Sequence, residues 1–298
     1  MSTQTANGFN GASAEAIQQH YDTSNEFFEL WLGDTMSYTC ALWPDDQTEL
    51  DLNGAQRAKI DWHLRHSGSI GANRVLDVGC GWASALNRMV DVHGVRKGVG
   101  LTLSRSQADY VLAQGNPKVD IVFQGWAEYE ADEPFDAIVS IGSFEAYAKP
   151  GLTTEAKIES YREYFRRCHR WLKPGGRMTL QTIAYNNADL AQFNPFISSE
   201  IFPEQDLPTL ADIAHAFDHL FEIETLRNDR THYARTLKLW LKNLRAKKAE
   251  AIALVGETEY FRFERYLKTV CYCWFEIGDC CLYRMSFKRI DKPRGGVR

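Results

Sequence analysis

The chain has 298 residues, with 34 Lys and Arg against 39 Asp and Glu, a formal charge of −5, 44% hydrophobic residues, 21 Gly and 9 Pro. This is the balance of a globular protein with a sizeable core, which excludes a disordered, collagenous or fibrous chain. It also lacks the basic excess of a nucleic-acid-binding surface, so no nucleic-acid partner is expected and any ligand is expected to be small.

The opening segment, Met1 to Ala12, is polar, without a basic or apolar stretch, and reads as a loose end rather than an address. From Ala14 to Leu64 apolar residues recur at three- and four-residue steps, which predicts helices, and Thr48 to His66 reads as an amphipathic helix capped by Asp46 or Thr48. Arg74 to Val78 is a short apolar strand that runs into Gly79-Cys80-Gly81 and a helix over Ala83 to Val92. Strands are then expected at 98–103, 120–123, 135–141 and 176–183, alternating with helices at 104–114 and 154–172, the latter stopped by Lys173-Pro174-Gly175-Gly176. A loop-rich insertion over 184–206 and a helix at 209–217 precede two closing strands, 221–225 and 282–287, which flank long helices at 233–255 and 258–277. Such alternation predicts a mainly parallel sheet covered on both faces.

Seven cysteines, at 40, 80, 168, 271, 273, 280 and 281, are scattered and odd in number, which fits reduced thiols in a cytoplasmic protein better than a disulfide framework. Their spacing matches no zinc knuckle, so no metal is expected. No uncharged apolar run reaches the roughly 18 residues of a membrane span, so no stable membrane insertion is expected.

The turn Asp77-Val78-Gly79-Cys80-Gly81 places small residues where a strand meets a helix, leaving backbone room for a ligand. A dinucleotide site would add a third glycine and an acidic residue about twenty positions on, and the next strand ends Val99-Gly100-Leu101-Thr102-Leu103 without one. Asp77 is better placed to hold the charged amino-acid end of S-adenosylmethionine (SAM) than a nucleotide phosphate.

Seven motifs occur in order: His20-Tyr21-Asp22-x-Ser24-Asn25-Glu26-Phe27-Phe28, Tyr38-Thr39-Cys40-Ala41, Leu76-Asp77-Val78-Gly79-Cys80-Gly81-Trp82, Gly100-Leu101-Thr102-Leu103-Ser104-x-Ser106-Gln107, Ser140-Ile141-Gly142-Ser143-Phe144-Glu145, Glu200-Ile201-Phe202-Pro203 and His232-Tyr233-Ala234-x-Thr236-Leu237. Together, over about residues 18 to 287, they resemble the cyclopropane fatty acid synthase and mycolic acid methyltransferase family. The resemblance implies an α/β, Rossmann-like, SAM-dependent methyltransferase with a mainly parallel seven-stranded sheet and helices on both faces. Residues 1–68 would form an N-terminal helical cap and 69–298 the core, with a lid inserted at about 184–220.

By the same resemblance Tyr38 and Thr39 lie against SAM and Gly79 sits beneath it, with Gly81 and Ile141 in the same shell. Thr102, Leu103 and Gln107 take the ribose, and Trp126 with Ala127 flanks the adenine. An indole face suits adenine, and a Gln amide offers both donor and acceptor to ribose hydroxyls. The family's bicarbonate shell falls on Cys40, Glu145, Gln181, Ile183 and Tyr233. Gln181 and Ala146 stand where the family has histidines, so bicarbonate is left open and disfavoured, and Glu145 becomes the direct base, oriented by Tyr21 and Tyr233. Tyr147, Tyr272, Trp274 and Phe275 are candidates to face a cationic intermediate, against the plainer reading as core. The segment between Ile183 and Glu200 is about a dozen residues shorter than in the mycolic enzymes, which weakens the case for a long acyl tunnel. The basic run Lys238, Lys242, Arg245, Lys247, Lys248 reads as a solvated face.

The leading expectation is C-methylation of an electron-rich carbon in a small specialised metabolite, an indole-like aromatic or an activated alkene, with Glu145 taking the proton. The alternatives are cyclopropanation or methyl-branching of unsaturated lipids, N-methylation of a small amine, and a non-catalytic SAM-binding protein. Labelled product separates the first three, and SAM binding without turnover marks the last. A homodimer is left open.

Overall fold

Short apolar runs bounded by glycine turns fold here into one sheet. The computed structural model describes residues 11–21, 23–193 and 195–292. Most of the opening segment, with Asp22 of the first motif, Asn194 of the insertion and residues 293–298, lies outside the described residues. The strands are β1 (Arg74–Val78), β2 (Lys97–Thr102), β3 (Val119–Phe123), β4 (Phe135–Ile141), β5 (Leu172–Tyr185), β6 (Phe221–Asn228) and β7 (Cys280–Arg289), in the order β3-β2-β1-β4-β5-β7-β6. β7 runs antiparallel to both its neighbours, and the other pairings are parallel. The helices are α1 (Ala14–Tyr21), α2 (Asn25–Leu32), α3 (Leu52–His66), α4 (Ser84–Asp91), α5 (Arg105–Ala113), α6 (Thr154–Trp171), α7 (Leu210–Phe217), α8 (Arg230–Ala246) and α9 (Lys248–Val270).

Because side chains alternate along a strand, each central strand feeds two apolar layers. Val75 and Val139 pack with Ile60 and Leu64 of α3 and Leu86 and Met89 of α4. Leu76 and Ile138 pack with Tyr161 and Phe165 of α6 and Ile213 of α7. A third cluster joins Phe27, Phe28 and Trp31 of α2 to Leu237 and Trp240 of α8 and Phe263 of α9. The order in which strands are added reverses between the parallel neighbours β1 and β4, the switch point where open α/β sheets bind ligands.

Three local expectations are corrected. Helix α3 starts at Leu52, capped by Asp51, whose Oδ1 accepts from the Gly54 amide at 2.7 Å, so neither Asp46 nor Thr48 is the cap. The helix expected over 233–255 is broken at Lys247, where the sequence Arg245-Ala246-Lys247-Lys248 carries no turn residue to announce it, while the division expected after 255 is present as a kink at Gly256, φ 81°, inside α9. Ala83 is not in the first turn of α4 but precedes it at φ 61°, in the left-handed region.

Candidate active site

The C-terminal ends of β1, β2 and β4 open into a cavity of about 880 Å³. The turn after β1 is shaped by Gly79 at φ 79°, where an added Cβ would stand 2.5 Å from Ser143 Cβ. Only glycine lets this turn approach the loop after β4 so closely. Gly79→Ala is therefore expected to lower folding stability by about 1–3 kcal/mol and to take cofactor binding below detection, measured by urea unfolding and calorimetric titration.

Tyr38, Thr39, Asp77, Gly79, Gly81, Thr102, Leu103, Gln107, Trp126, Ala127 and Ile141 all line this cavity, as do Tyr21, Glu145 and Tyr233. The Thr102 hydroxyl donates to Gln107 Oε1 at 2.9 Å. In this orientation Gln107 has already spent an acceptor and turns to a ligand chiefly as a donor, a narrower role than the sequence suggested. Trp126 is buried, with Tyr147 and Tyr164 against it at ring-centroid distances of 5.0 and 5.3 Å. Asp77 Oδ1 accepts no hydrogen bond, and burial lifts the Asp77 carboxyl to about 7, with Lys59 opposing.

Glu145 sits on the 3-10 turn Phe144–Ala146 that follows β4 and is 8% exposed. Its Oε1 accepts from the Ile183 amide at 2.7 Å, and its buried Oε2 has no hydrogen-bond partner. Burial raises its pKa to about 7, the Ile183 amide partly opposing. A lone carboxylate oxygen held this way in an apolar wall is a proton acceptor near neutral pH. Tyr21 and Tyr233, expected to orient Glu145, stand in the same cavity, near enough for its charge to act on both, and neither bonds to Oε2.

Cys40 and Gln181 are placed differently from the expectation, since neither lines the cavity. Both belong to a buried network centred on Arg284 of β7, which is fully buried. Arg284 Nε donates to Gln181 Oε1 at 2.8 Å, and Nη2 donates to the carbonyls of Cys40 and Ala41, each at 2.9 Å. Nη1 pairs with Asp229, which also takes Arg227. Burial pushes the Cys40 thiol up to about 12, which removes it as a thiolate. Arg284 claims the Gln181 side chain for the scaffold.

Beyond Glu145 the wall is apolar and aromatic, with Ile183, Tyr185, Phe193, Ile197, Phe202, Tyr266 and Trp274, several of them from the inserted segment. Tyr147 and Trp274 face the cavity, Phe275 packs on Tyr233 from behind at 4.4 Å, and Tyr272 is exposed. Lys238, Arg245 and Lys247 of the basic run pair with Glu276, Glu264 and Glu250. Among the described residues no helix is long and apolar enough to cross a membrane, and no three His, Cys, Asp or Glu side chains are grouped to hold a metal.

Sequence reasoning missed Lys59 and His63 of α3, and Arg284 with Asp229. Lys59 lines the cavity, and all four are buried. No local signal separates a buried charge from a solvated one.

The orphaned Asp77 oxygen, the close turn at Gly79 and the ring at Trp126 fit a ligand with a charged tail and an adenine, as SAM has. Residues 10–285 match the family described as mycolic acid cyclopropane synthetase. Cyclopropane mycolic acid synthase 2 of Mycobacterium leprae is 36% identical over 274 residues, covering 85% of this chain and 87% of its own. The S-adenosylmethionine-dependent methyltransferase UmaA of Mycobacterium tuberculosis is 37% identical over 284 residues, covering 89% and 93%. The solved structure of mycolic acid cyclopropane synthase CmaA1 complexed with SAH and CTAB superposes with a TM-score of 0.81 at 34% identity, covering 94% of this chain and 99% of that one. With its switch-point cavity, Rossmann-like sheet and matching sequence along nearly the whole chain, the protein belongs to the mycolic acid cyclopropane synthetase family of SAM-dependent methyltransferases.

Proposed function

We propose that the acceptor is a carbon–carbon double bond in an unsaturated acyl chain, and that Glu145 takes the proton released. The carrying observation is the buried, unpartnered Glu145 Oε2 in an apolar wall that shares one cavity with the cofactor residues. Relatives named for cyclopropane mycolic acid synthesis support a lipid acceptor over the indole-like aromatic.

When bound, SAM would supply an electrophilic methyl group, and an alkene that took it would be left with a positive charge on the neighbouring acyl carbon. Glu145 then accepts a proton from the new methyl as its C–H electrons form the bond that closes the ring. Tyr185, Phe193, Tyr233 and Trp274 line the same cavity, so aromatic side chains would surround this step. Ile183 already donates to Glu145 Oε1, which supports direct use of the carboxylate without bicarbonate. The cofactor-binding roles of the residues from Tyr38 to Ile141 belong to the same reading, with cavity position as their support.

The test is incubation with methyl-labelled SAM and a mixture of unsaturated phospholipids, indoles and amines, with and without bicarbonate. Label is expected in the acyl chain at a rate indifferent to bicarbonate. Label confined to the indoles or amines overturns the acyl reading, and loss of turnover without bicarbonate overturns direct proton acceptance.

A further inference from the structure

Helix α3 buries a polar stripe of Gln56, Lys59 and His63. Gln56 has a structural task, since its Nε2 donates to the carbonyls of Ser37 and Thr39 at 3.2 and 2.8 Å and fixes the loop beside the cofactor site. Lys59 has no comparable explanation. It is 2% exposed, lines the cavity, and donates one of its ammonium hydrogens to Thr39 Oγ1 at 2.7 Å. Among the described residues it forms no ion pair, and burial, with the Arg284 charge nearby, pulls its pKa down to about 7. A buried ammonium that forms no ion pair is costly.

Asp77, close enough for its charge to act on Lys59, lines the same cavity and keeps one buried oxygen without a hydrogen bond. One ammonium and one carboxylate at one end of the cavity mirror the amino-acid tail of the cofactor, which carries one of each. We propose that Lys59, with the Thr39 hydroxyl beside it, binds the carboxylate of the SAM tail, while Asp77 faces its ammonium. The proposal goes beyond the acyl-chain reading and does not depend on it.

The test is calorimetric titration of wild type, Lys59→Met and Lys59→Arg with SAM and with decarboxylated SAM, which keeps the sulfonium and the amine. Wild type is expected to bind decarboxylated SAM about 10- to 100-fold more weakly than SAM, the worth of one charge-assisted hydrogen bond. Lys59→Met is expected to lose that preference by weakening SAM alone, and Lys59→Arg to keep part of it. Equal affinity of wild type for the two ligands overturns the assignment whether or not a variant folds. So does a Lys59→Met or Lys59→Arg protein that weakens both ligands alike, which marks Lys59 as structural.

Discussion

Glu145→Gln is expected to bind SAM with its usual affinity while turning over about 10²- to 10⁴-fold more slowly, the range a positioned general base contributes. The amide keeps an oxygen to accept from the Ile183 N–H at the place where Oε1 now sits 2.7 Å away, so the turn after β4 has no reason to move. What is lost is the basic electron pair on Oε2. The wild-type rate is expected to climb with pH up to about 7 and then level, because the carboxyl must be ionised to accept a proton and burial sets its pKa there. Stability moves the opposite way. Folding raises this pKa, so the folded state is penalised once pH exceeds the ordinary carboxyl value. Glu145→Gln is thus expected to be more stable than wild type at pH 8 by on the order of 3 kcal/mol, at about 1.4 kcal/mol per pH unit, and similar to it at pH 4. Single-turnover kinetics and urea unfolding at the two pH values check both halves.

Arg284→Met is expected to cost about 3–5 kcal/mol of folding stability, the usual penalty for removing one partner of a buried ion pair. Arg284 ties β7 to β5 through Gln181, to the loop after Tyr38 through Cys40 and Ala41, and to Asp229 at the start of α8. Its loss strands four acceptors, of which only Asp229 keeps a cation, Arg227. Burial alone would raise the Asp229 pKa, but Arg227 and Arg284 together hold it below the ordinary value. Its contribution is therefore complete above pH of about 4 and disappears as pH falls through the lower folded value. Arg284→Met should lose most where wild type gains most, above pH 5, and Arg284→Met with Asp229→Leu should recover part of the loss. Urea midpoints across pH 3 to 7 measure this, and equal midpoints for wild type and Arg284→Met at pH 7 would sink the account of the network.

The sheet was legible because its signals are local. A run such as Arg74-Val75-Leu76-Asp77-Val78 followed by two glycines admits few structures, and the order of such units dictates a mainly parallel sheet. The shared cavity position of Asp77, Gly79, Thr102 and Ile141 was legible for the same reason, since they lie at or just beyond strand ends that converge at the switch point. The polar interior was not legible. In a helical pattern Gln56, Lys59 and His63 are assigned to solvent, and only the docking of α3 against the loop at Thr39 and the strand at Gln181 puts them inside. Likewise nothing near Gln181 announces an arginine 103 residues away that takes its carbonyl. That long-range pairing is why Cys40 and Gln181 leave the cavity while Glu145 stays in it.

If the acceptor is an acyl double bond and Glu145 removes a proton from the transferred methyl, the fate of that methyl's hydrogens is fixed. The decisive measurement supplies SAM carrying a trideuterated methyl group together with a cis-unsaturated phospholipid, and analyses the acyl product by mass spectrometry and NMR. A cyclopropane ring whose new carbon keeps two of the three deuterons is the predicted result, with Glu145→Gln slowing its appearance. An intact trideuteromethyl group on an aromatic ring or an amine, with the lipid unlabelled, would contradict it.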